Sequence, residues 1–554
     1  YVQSNNSSIY LIGPPILLEN FNKTIFNPDK ETKKLNNNIS KQITSYIYSK
    51  IYEQYLEETK NNRNRATALI DEYKRLRYKS YGYIALINSI TKLNGEFVEP
   101  EIIKDRFSNS VFIIDEAHYY KRDAPTYKGL EYILTHAERI KLILLTATPM
   151  HNAPIQIVDL LNLLLLNDRR PQMSYNDIFE PANDDNRKLI NKELLIKKST
   201  GYISYLNGNN PITFALKIYP EDSIFVKLDN NKIIISENNK GYNIYPCEMS
   251  LFQYNISKLT TRNDLVYGIQ SNLIVFPNEK FGDEGFNICF KYNKEQDKYK
   301  YNCFDDFLKP NNIKKYSMKL YKLSEALKNT TGKIYISTQF IKSGVHLIGM
   351  FLEELGFNRL KIVNGKFVIS NLLKNNNPDN PSYIMVTSET SSQIIKYTDL
   401  YNDPNNVNGE IVQIIIGSEV IQQGTSLFNV REIHIIEPWW NYSQIEQIIG
   451  RGIRDCSHIN LPPQKRNITI YNYISTYQEH ITSDIHQLTI TLSKSNNIAV
   501  VSRILKQNAI DCFISRKINV NNDYPDIEIL TSKNIIKTIP QNDIDYSLEC
   551  DYEL

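Results

Sequence analysis

Apolar residues along this chain gather into short runs, and most runs are followed by a stretch with helical periodicity. Ser8–Glu19 (SIYLIGPPILLE) reads as a strand at Ile9–Ile12, a Gly13-Pro14-Pro15 turn and the opening of a helix. Residues 28–66 are rich in Lys, Asn and Glu, with helical spacing around Ile43, Ile47, Ile51 and Tyr55, which predicts a largely exposed helical insertion. Ile84–Ile90 and Tyr127–Ala137 predict helices. Val111–Asp115 is a buried strand in this reading, Lys141–Thr146 (KLILLT) a second fully buried one, and Gln156–Leu166 a deeply packed helix. Strands apolar on both faces belong in the middle of a parallel sheet with helices on either side.

The same rhythm resumes from Lys315. Strands are expected at Lys333–Ser337, Tyr383–Thr387, Glu410–Gly417, Ile433–Ile436 and 468–474, with a hairpin over Lys361–Ile369. Helices are expected at Ser317–Asn329, Gly344–Leu355, Ser391–Tyr397 and Tyr442–Arg454. Between the two α/β stretches lies a segment without a chemical motif: β-rich at Ile212–Ile235, helical over Ser250–Asn272, a short strand at Leu273–Pro277, then polar and aromatic at Gln296–Asn311, whose tyrosines read as plain surface in preference to a face that stacks on bases. The fold class is therefore α/β, with two parallel-sheet domains. The expected boundaries are 1–170 for the first domain (insertion about 28–80), 171–314 for an intervening domain or insertion, 315–480 for the second, and 481–554 for a C-terminal extension containing a helix at Ala499–Phe513.

Composition adds little. Hydrophobic residues at 41% and charged residues at 23% suit a globular protein, and 554 residues are too many for one core. The net charge of +3 is nearly silent on nucleic acid, because a basic surface can be balanced by acid elsewhere. Six cysteines without CxxC spacing suggest neither a zinc site nor a disulfide framework. No apolar run reaches about 18 residues, so no membrane partner is expected. The chain lacks an initiator Met, and residue 1 is expected to be the start of a piece of a longer product.

Chemistry concentrates at strand ends. Asp115 and Glu116 follow an apolar strand, where open α/β sheets bind ligands. Asp115 can hold hydrated Mg²⁺ against a nucleotide phosphate, and Glu116 can orient or deprotonate an attacking water. Gly417-Ser418-Glu419 through Gly424-Thr425-Ser426-Leu427 is a small-residue loop able to approach phosphate or ribose. On a helix, Gln447, Arg451 and Arg454 share one face, with Gly450 and Gly452 removing bulk between them. Two such arginines can neutralise charge on a transferring phosphoryl group. An arginine-bearing helix end is also common for dipole reasons; two helical glycines, costing about 1 kcal/mol each, argue for the more specific reading.

Asp115-Glu116-Ala117-His118, Thr146-Ala147-Thr148, the Gly424 loop and Gln447–Arg454 resemble motifs II, III, V and VI of superfamily 2 helicases, in order and spacing. Gly424–His458 is similar to the subgroup of large cytoplasmic DNA viruses, which includes poxvirus nucleoside triphosphatase I and the small subunit of the poxvirus early transcription factor, with relatives in giant viruses and yeast linear plasmids. The likeness covers about residues 8–170 and 330–515.

It implies two RecA-like domains with ATP and Mg²⁺ held between them. Asp115 and Glu116 would serve the metal and the water, and His118 and Gln447 would relay nucleotide state. Thr146, Ala147 and Thr148 would couple the acids to the cleft. Ser418, Gly424, Thr425 and Gly450 would line the nucleotide side of the second domain. Arg451 and Arg454 would be arginine fingers, and Ser337, Thr338 and Gln339 (motif IV) would face nucleic acid. Implied partners are double-stranded DNA and the viral transcription machinery, either RNA polymerase or a large transcription-factor subunit. The implied location is the host cytoplasm in the viral factory, with the virion as a second site. No GxxxxGK[ST] phosphate loop occurs in these residues, and because Ser8–Glu19 resembles motif Ia, that loop is expected upstream of Tyr1. An RNA helicase and a non-catalytic architectural subunit are the rival readings.

Overall fold

The computed structural model describes residues 8–27, 46–182, 184–206, 213–236, 241–260, 264–304, 306–422, 425–514 and 525–540. Ile43 of the insertion and Gly424 lie outside these. The chain divides into two compact units, Tyr1–Tyr202 and Ile203–Leu554.

The first unit is built on four parallel strands: β1 (Ile9–Ile12), β2 (Tyr78–Tyr81), β3 (Val111–Ile114) and β4 (Lys141–Leu144), in the spatial order β2-β1-β3-β4. Ile12 pairs with Ile114 and Ile114 with Leu144, so the chain leaves β1, β3 and β4 at a common carboxyl edge. Tyr10, Phe112, Ile114, Leu130 and Ile133 form the core with helices Pro100–Phe107, Pro125–His136 and Gln156–Asn167.

Two expectations need correction here. β4 is not fully buried: Ile143 and Leu145 are 43% and 44% exposed, because β4 is an outer strand of the sheet among the described residues. β2, with the sequence YKSY, has no apolar pattern to announce it and exists through its pairing with β1. The insertion is helical where described, at Tyr46–Glu58 and Arg63–Arg77, around a small core of Phe26, Tyr52, Ala66 and Ile70.

In the second unit the strands follow in chain order: β5 (Leu216–Ile218), β6 (Ile224–Asp229), β7 (Lys232–Ile235), β8 (Tyr242–Glu248), β9 (Phe290–Asn293), β10 (Lys298–Tyr301), β11 (Lys333–Ser337), β12 (Asn358–Val363), β13 (Lys366–Ile369), β14 (Ser382–Val386), β15 (Ile414–Gly417), β16 (Val430–Ile435), β17 (Asn467–Thr476), β18 (Ile527–Leu530) and β19 (Ile536–Ile539). The large sheet runs β13-β12-β14-β15-β11-β16-β17-β8-β6-β7, and β5 also pairs with β17. From β12 to β8 every pairing is parallel. Ser337 lies level with Gly417 and Ile435, and Val386 with Gly417, which again aligns the carboxyl ends.

The intervening segment is not set apart. Its strands β5 to β8 extend this sheet, while residues 171–202 belong to the first unit through bonds such as Met173 N to Asn162 Oδ1 (2.9 Å) and Tyr175 OH to Asp159 (2.6 Å). The expected strand at Leu273–Pro277 is absent: a helix runs to Leu273, and Val275 makes only an isolated bridge to Phe281. Tyr299 and Tyr301 are not plain surface either. They pack on the core formed by Phe286, Phe290 and Phe307, and Tyr301 donates to Glu354 at 2.7 Å. A disulfide the cysteine spacing did not suggest joins Cys289 to Cys303, with Cα atoms 4.7 Å apart. The C-terminal helix, expected at Ala499–Phe513, both begins and ends earlier, at Ser483–Gln507. No helix among the described residues is long and apolar enough to cross a membrane.

Candidate functional site

In the first unit the chain turns sharply as it leaves β3. Asp115 N still donates to Ile12 O (2.9 Å), but Glu116 lies in the left-handed region at φ 50°, ψ 48°. A side-chain-bearing residue there carries a cost of order 1–3 kcal/mol, so surrounding bonds must fix it. Glu116 N donates to Asp115 Oδ1 at 2.9 Å, and Ala117 N to Leu145 O at 2.9 Å. Tyr83 OH donates to Asp115 O at 2.6 Å and lies 3.4 Å from Glu116 O. Burial, reinforced by the neighbouring tyrosines and acids, pushes the Tyr83 phenol well above its ordinary pKa, so it stays a donor.

His118 joins this turn to the end of β4. Its Nδ1 lies 3.0 Å from Thr146 Oγ1, 3.4 Å from Thr148 Oγ1 and 3.3 Å from Glu116 Oε2. Thr148 N donates to Thr146 Oγ1 at 3.1 Å, and Ala147 is exposed between the two threonines. Burial, then the adjacent His151 and Lys121, lowers the His118 pKa to about 4, so near neutral pH the ring is uncharged. It stacks on His151 with centroids 4.8 Å apart and planes at 12°.

Glu116, His118, Thr146 and Thr148 are thus brought together as the motifs predict. Tyr83 and His151 were missed: Tyr83 acts on backbone oxygens, which leave no trace in sequence, and only the position of His151 just after Thr146-Ala147-Thr148 could have marked it.

The residues fit a Mg²⁺ site of the kind that relies on water and phosphate. Asp115 and Glu116 supply two carboxylates, and no cluster of three or more His, Cys, Asp or Glu side chains able to hold a metal occurs among the described residues. Mg²⁺ usually takes one or two carboxylates and fills its octahedron from water and substrate.

In the second unit the carboxyl ends of β15, β11 and β16 carry the other predicted residues. Gly417 is required by packing, since a Cβ there would lie 2.5 Å from Ile421 Cγ2. Ser418 is buried, with its N–H on Val386 O (3.1 Å). Ile421 N donates to Ser418 O at 3.1 Å, Thr425 Oγ1 to Ile421 O at 2.5 Å, and Arg451 Nη1 to Thr425 O at 3.2 Å, so Ser418, Thr425 and Arg451 are linked through Ile421.

Helix Tyr442–Gly452 is capped by Asn441, which accepts from Gln444 N at 2.8 Å. It ends before Arg454. Ile453 is extended, so Arg454 does not share a helix face with Gln447 and Arg451, and its Nε folds back onto Gly450 O at 3.2 Å. Gln447 is half-buried. A Cβ on Gly450 would meet nothing within 4 Å, whereas one on Gly452 would lie 3.0 Å from Ile433 Cδ1. Close packing on β16 explains Gly452; the structure gives no packing reason for Gly450.

Ser337 and Thr338 are fully buried. Thr338 Oγ1 donates to Glu437 at 2.8 Å, Gln339 N to Glu437 at 3.1 Å, and Gln339 Nε2 to Pro438 O at 2.9 Å. The hydroxyl of Thr338 and the amide of Gln339 are therefore turned inward, not presented to a polymer. Glu437 was not singled out from sequence; burial raises its pKa to about 7.

Residues 19–151 match the family model described as the type III restriction enzyme res subunit. A protein named as a helicase in Invertebrate iridescent virus 3 is 30% identical over 74% of this chain and 40% of its own length. One named as an ATP-dependent RNA helicase in Acanthamoeba polyphaga mimivirus is 26% identical over 83% of this chain and 76% of its own. The termination factor NPH-I homolog of African swine fever virus is 24% identical over 73% of this chain and 63% of its own. The chain thus spans between 40% and 76% of the length of these relatives. In its motifs, its two parallel-sheet units and these likenesses, the chain is similar to the superfamily 2 helicases of large DNA viruses.

Proposed function

We propose that the chain is the motor part of a nucleic-acid-dependent ATPase that acts on DNA in viral transcription. The observation that carries this reading is the linked group at the carboxyl edge of the first sheet: Glu116, held in a left-handed turn, and His118, bridging it to Thr146 and Thr148. A carboxylate fixed this firmly suits the orientation of an attacking water, and the hydroxyls give the next strand a means of sensing its position. Asp115 would hold Mg²⁺, which when bound offsets phosphate charge. Arg451 and Arg454 would supply positive charge to the transferring phosphoryl group. The likeness to a termination factor homolog supports a role beside the transcription machinery. The relative named as an RNA helicase supports the second reading, that the polymer is RNA.

The test is ATP hydrolysis by the full-length protein with no nucleic acid, duplex DNA, single-stranded DNA and RNA. Stimulation by DNA is expected, and Glu116→Gln should abolish it. Turnover stimulated by RNA alone would move the assignment to an RNA helicase. No turnover under any condition would leave a non-catalytic subunit.

A further inference from the structure

The first unit carries a second feature that the ATPase reading does not use. A cavity of about 450 Å³ opens beside β2, an outer strand of the sheet among the described residues. It is lined by all four residues of β2, by Asn22, and by Asp71, Lys74 and Arg75 of helix Arg63–Arg77. Residues 63–81 contain six basic and two acidic side chains, while the whole chain balances to only +3. Lys74 is engaged with Asp71 at 2.7 Å, which leaves Arg75 and Lys79 as the cavity's cations. Lys79 is held in place: its Nζ sits 3.4 Å from Tyr10 OH and 5.2 Å from that ring's centre. Behind the lining residue Tyr81, Arg106 donates to its hydroxyl at 2.9 Å.

From this arrangement we infer that the β2 edge and helix Arg63–Arg77 form a binding site for the phosphate backbone of a polynucleotide. The inference rests on the proposed function for its ligand class. A lysine on an edge strand often serves only to block strand addition. That explains Lys79 alone, not the clustering of six basic residues or the entry of Arg75 into the same cavity.

A polymer fits better than a single nucleotide. Arg63, Arg65, Arg75 and Arg77 are exposed at the two ends of a 15-residue helix, about 22 Å long at 1.5 Å per residue. Contacts of this kind read charge and not sequence.

The test is binding of labelled duplex DNA, single-stranded DNA and RNA to the full-length protein across a salt series, without ATP. The double variant Arg75→Ala/Lys79→Met keeps the apolar stem over Tyr10 and removes both cations. It should bind roughly 10-fold more weakly near 0.1 M salt, with the log–log salt slope reduced by about one per lost contact. A control variant, Lys128→Gln/Lys141→Gln, removes two exposed charges elsewhere on the same unit and should keep the wild-type slope.

An unchanged slope in the first variant, or an equal loss in the control, would overturn the site. Polyglutamate competing as well as DNA would overturn it too, by showing a site for acidic protein. Binding is read without ATP, so an inactive ATPase would count against the proposed function and leave this result standing. ATP hydrolysis without nucleic acid should be the same in wild type and variant.

Discussion

At the scale of single residues, the candidate chemistry depends on one unfavourable backbone conformation. Glu116 at φ 50° directs its carboxylate by the path of the chain, and Tyr83 fastens that path by donating to the carbonyl of Asp115. Tyr83→Phe removes only this hydroxyl and keeps the ring contacts with Tyr119 and Tyr120. Turnover should fall roughly 10- to 100-fold, the usual penalty for a reacting group displaced by about 1 Å, with KM for ATP little changed. Tyr132→Phe is the matched control: it loses a 2.8 Å bond to Val98 O in the same unit, away from the acids. Equal losses in both variants would show that Tyr83 is only structural. The acids are legible in the sequence through the motifs that accompany them, because a carboxylate pair closing an apolar run equally suits a strand end in solvent. Tyr83 lies 32 residues from its partner and bonds to a main-chain oxygen, so no side-chain pattern could disclose it.

Elements were legible where the apolar pattern governs them and illegible where packing does. β11 and β14 are largely apolar runs and fall where expected, whereas β16 (VREIHI) begins three residues early through polar positions, and helix Tyr442–Gly452 stops short of Arg454 where Ile453 turns extended. The residues after β16 show the energetic side of the same effect. Glu437 leaves that strand into a buried position, with Thr338 and Gln339 N as its donors and Lys319 and Asp484 as the charges around it.

Its folded pKa of about 7 lies above the ordinary 4.5, so folding favours the neutral form. The stability it contributes is complete below about pH 4.5 and is lost as the pH rises through about 7. Glu437→Gln, which cannot ionise, should escape that loss. In denaturant titrations between about pH 5 and pH 8, the variant should gain on wild type by up to about 3 kcal/mol, from about 1.4 kcal/mol per pKa unit. A constant difference across that range would show that Glu437 ionises normally.

At the scale of the whole molecule, each unit has its own core, so unfolding need not be a single cooperative step. The second unit is closed at the amino ends of its strands by the β18–β19 hairpin, a contact spanning about a hundred residues. Ser532 Oγ donates to Glu432 at 2.5 Å, Arg431 to Leu530 O at 2.6 Å, and Thr331 N to Ser532 O at 3.0 Å. Lys533 lies 3.8 Å from Glu432 and also donates to the carbonyls of Ala326 and Lys328. Glu432 is fully buried between His434, 3.1 Å away, and Lys533; burial lowers the pKa of both partners.

Lys533→Met keeps the stem and removes that charge. Separating a buried pair costs about 3–5 kcal/mol; because Lys533 is 24% exposed, about 2–3 kcal/mol is expected. Both tryptophans, Trp439 and Trp440, are in the second unit, so tryptophan fluorescence follows that unit alone while circular dichroism follows both. In equilibrium denaturation the fluorescence midpoint should fall, and the part of the dichroism change without a fluorescence counterpart should stay in place. If both signals moved together, the two units would unfold as one and the hairpin would stabilise the molecule as a whole.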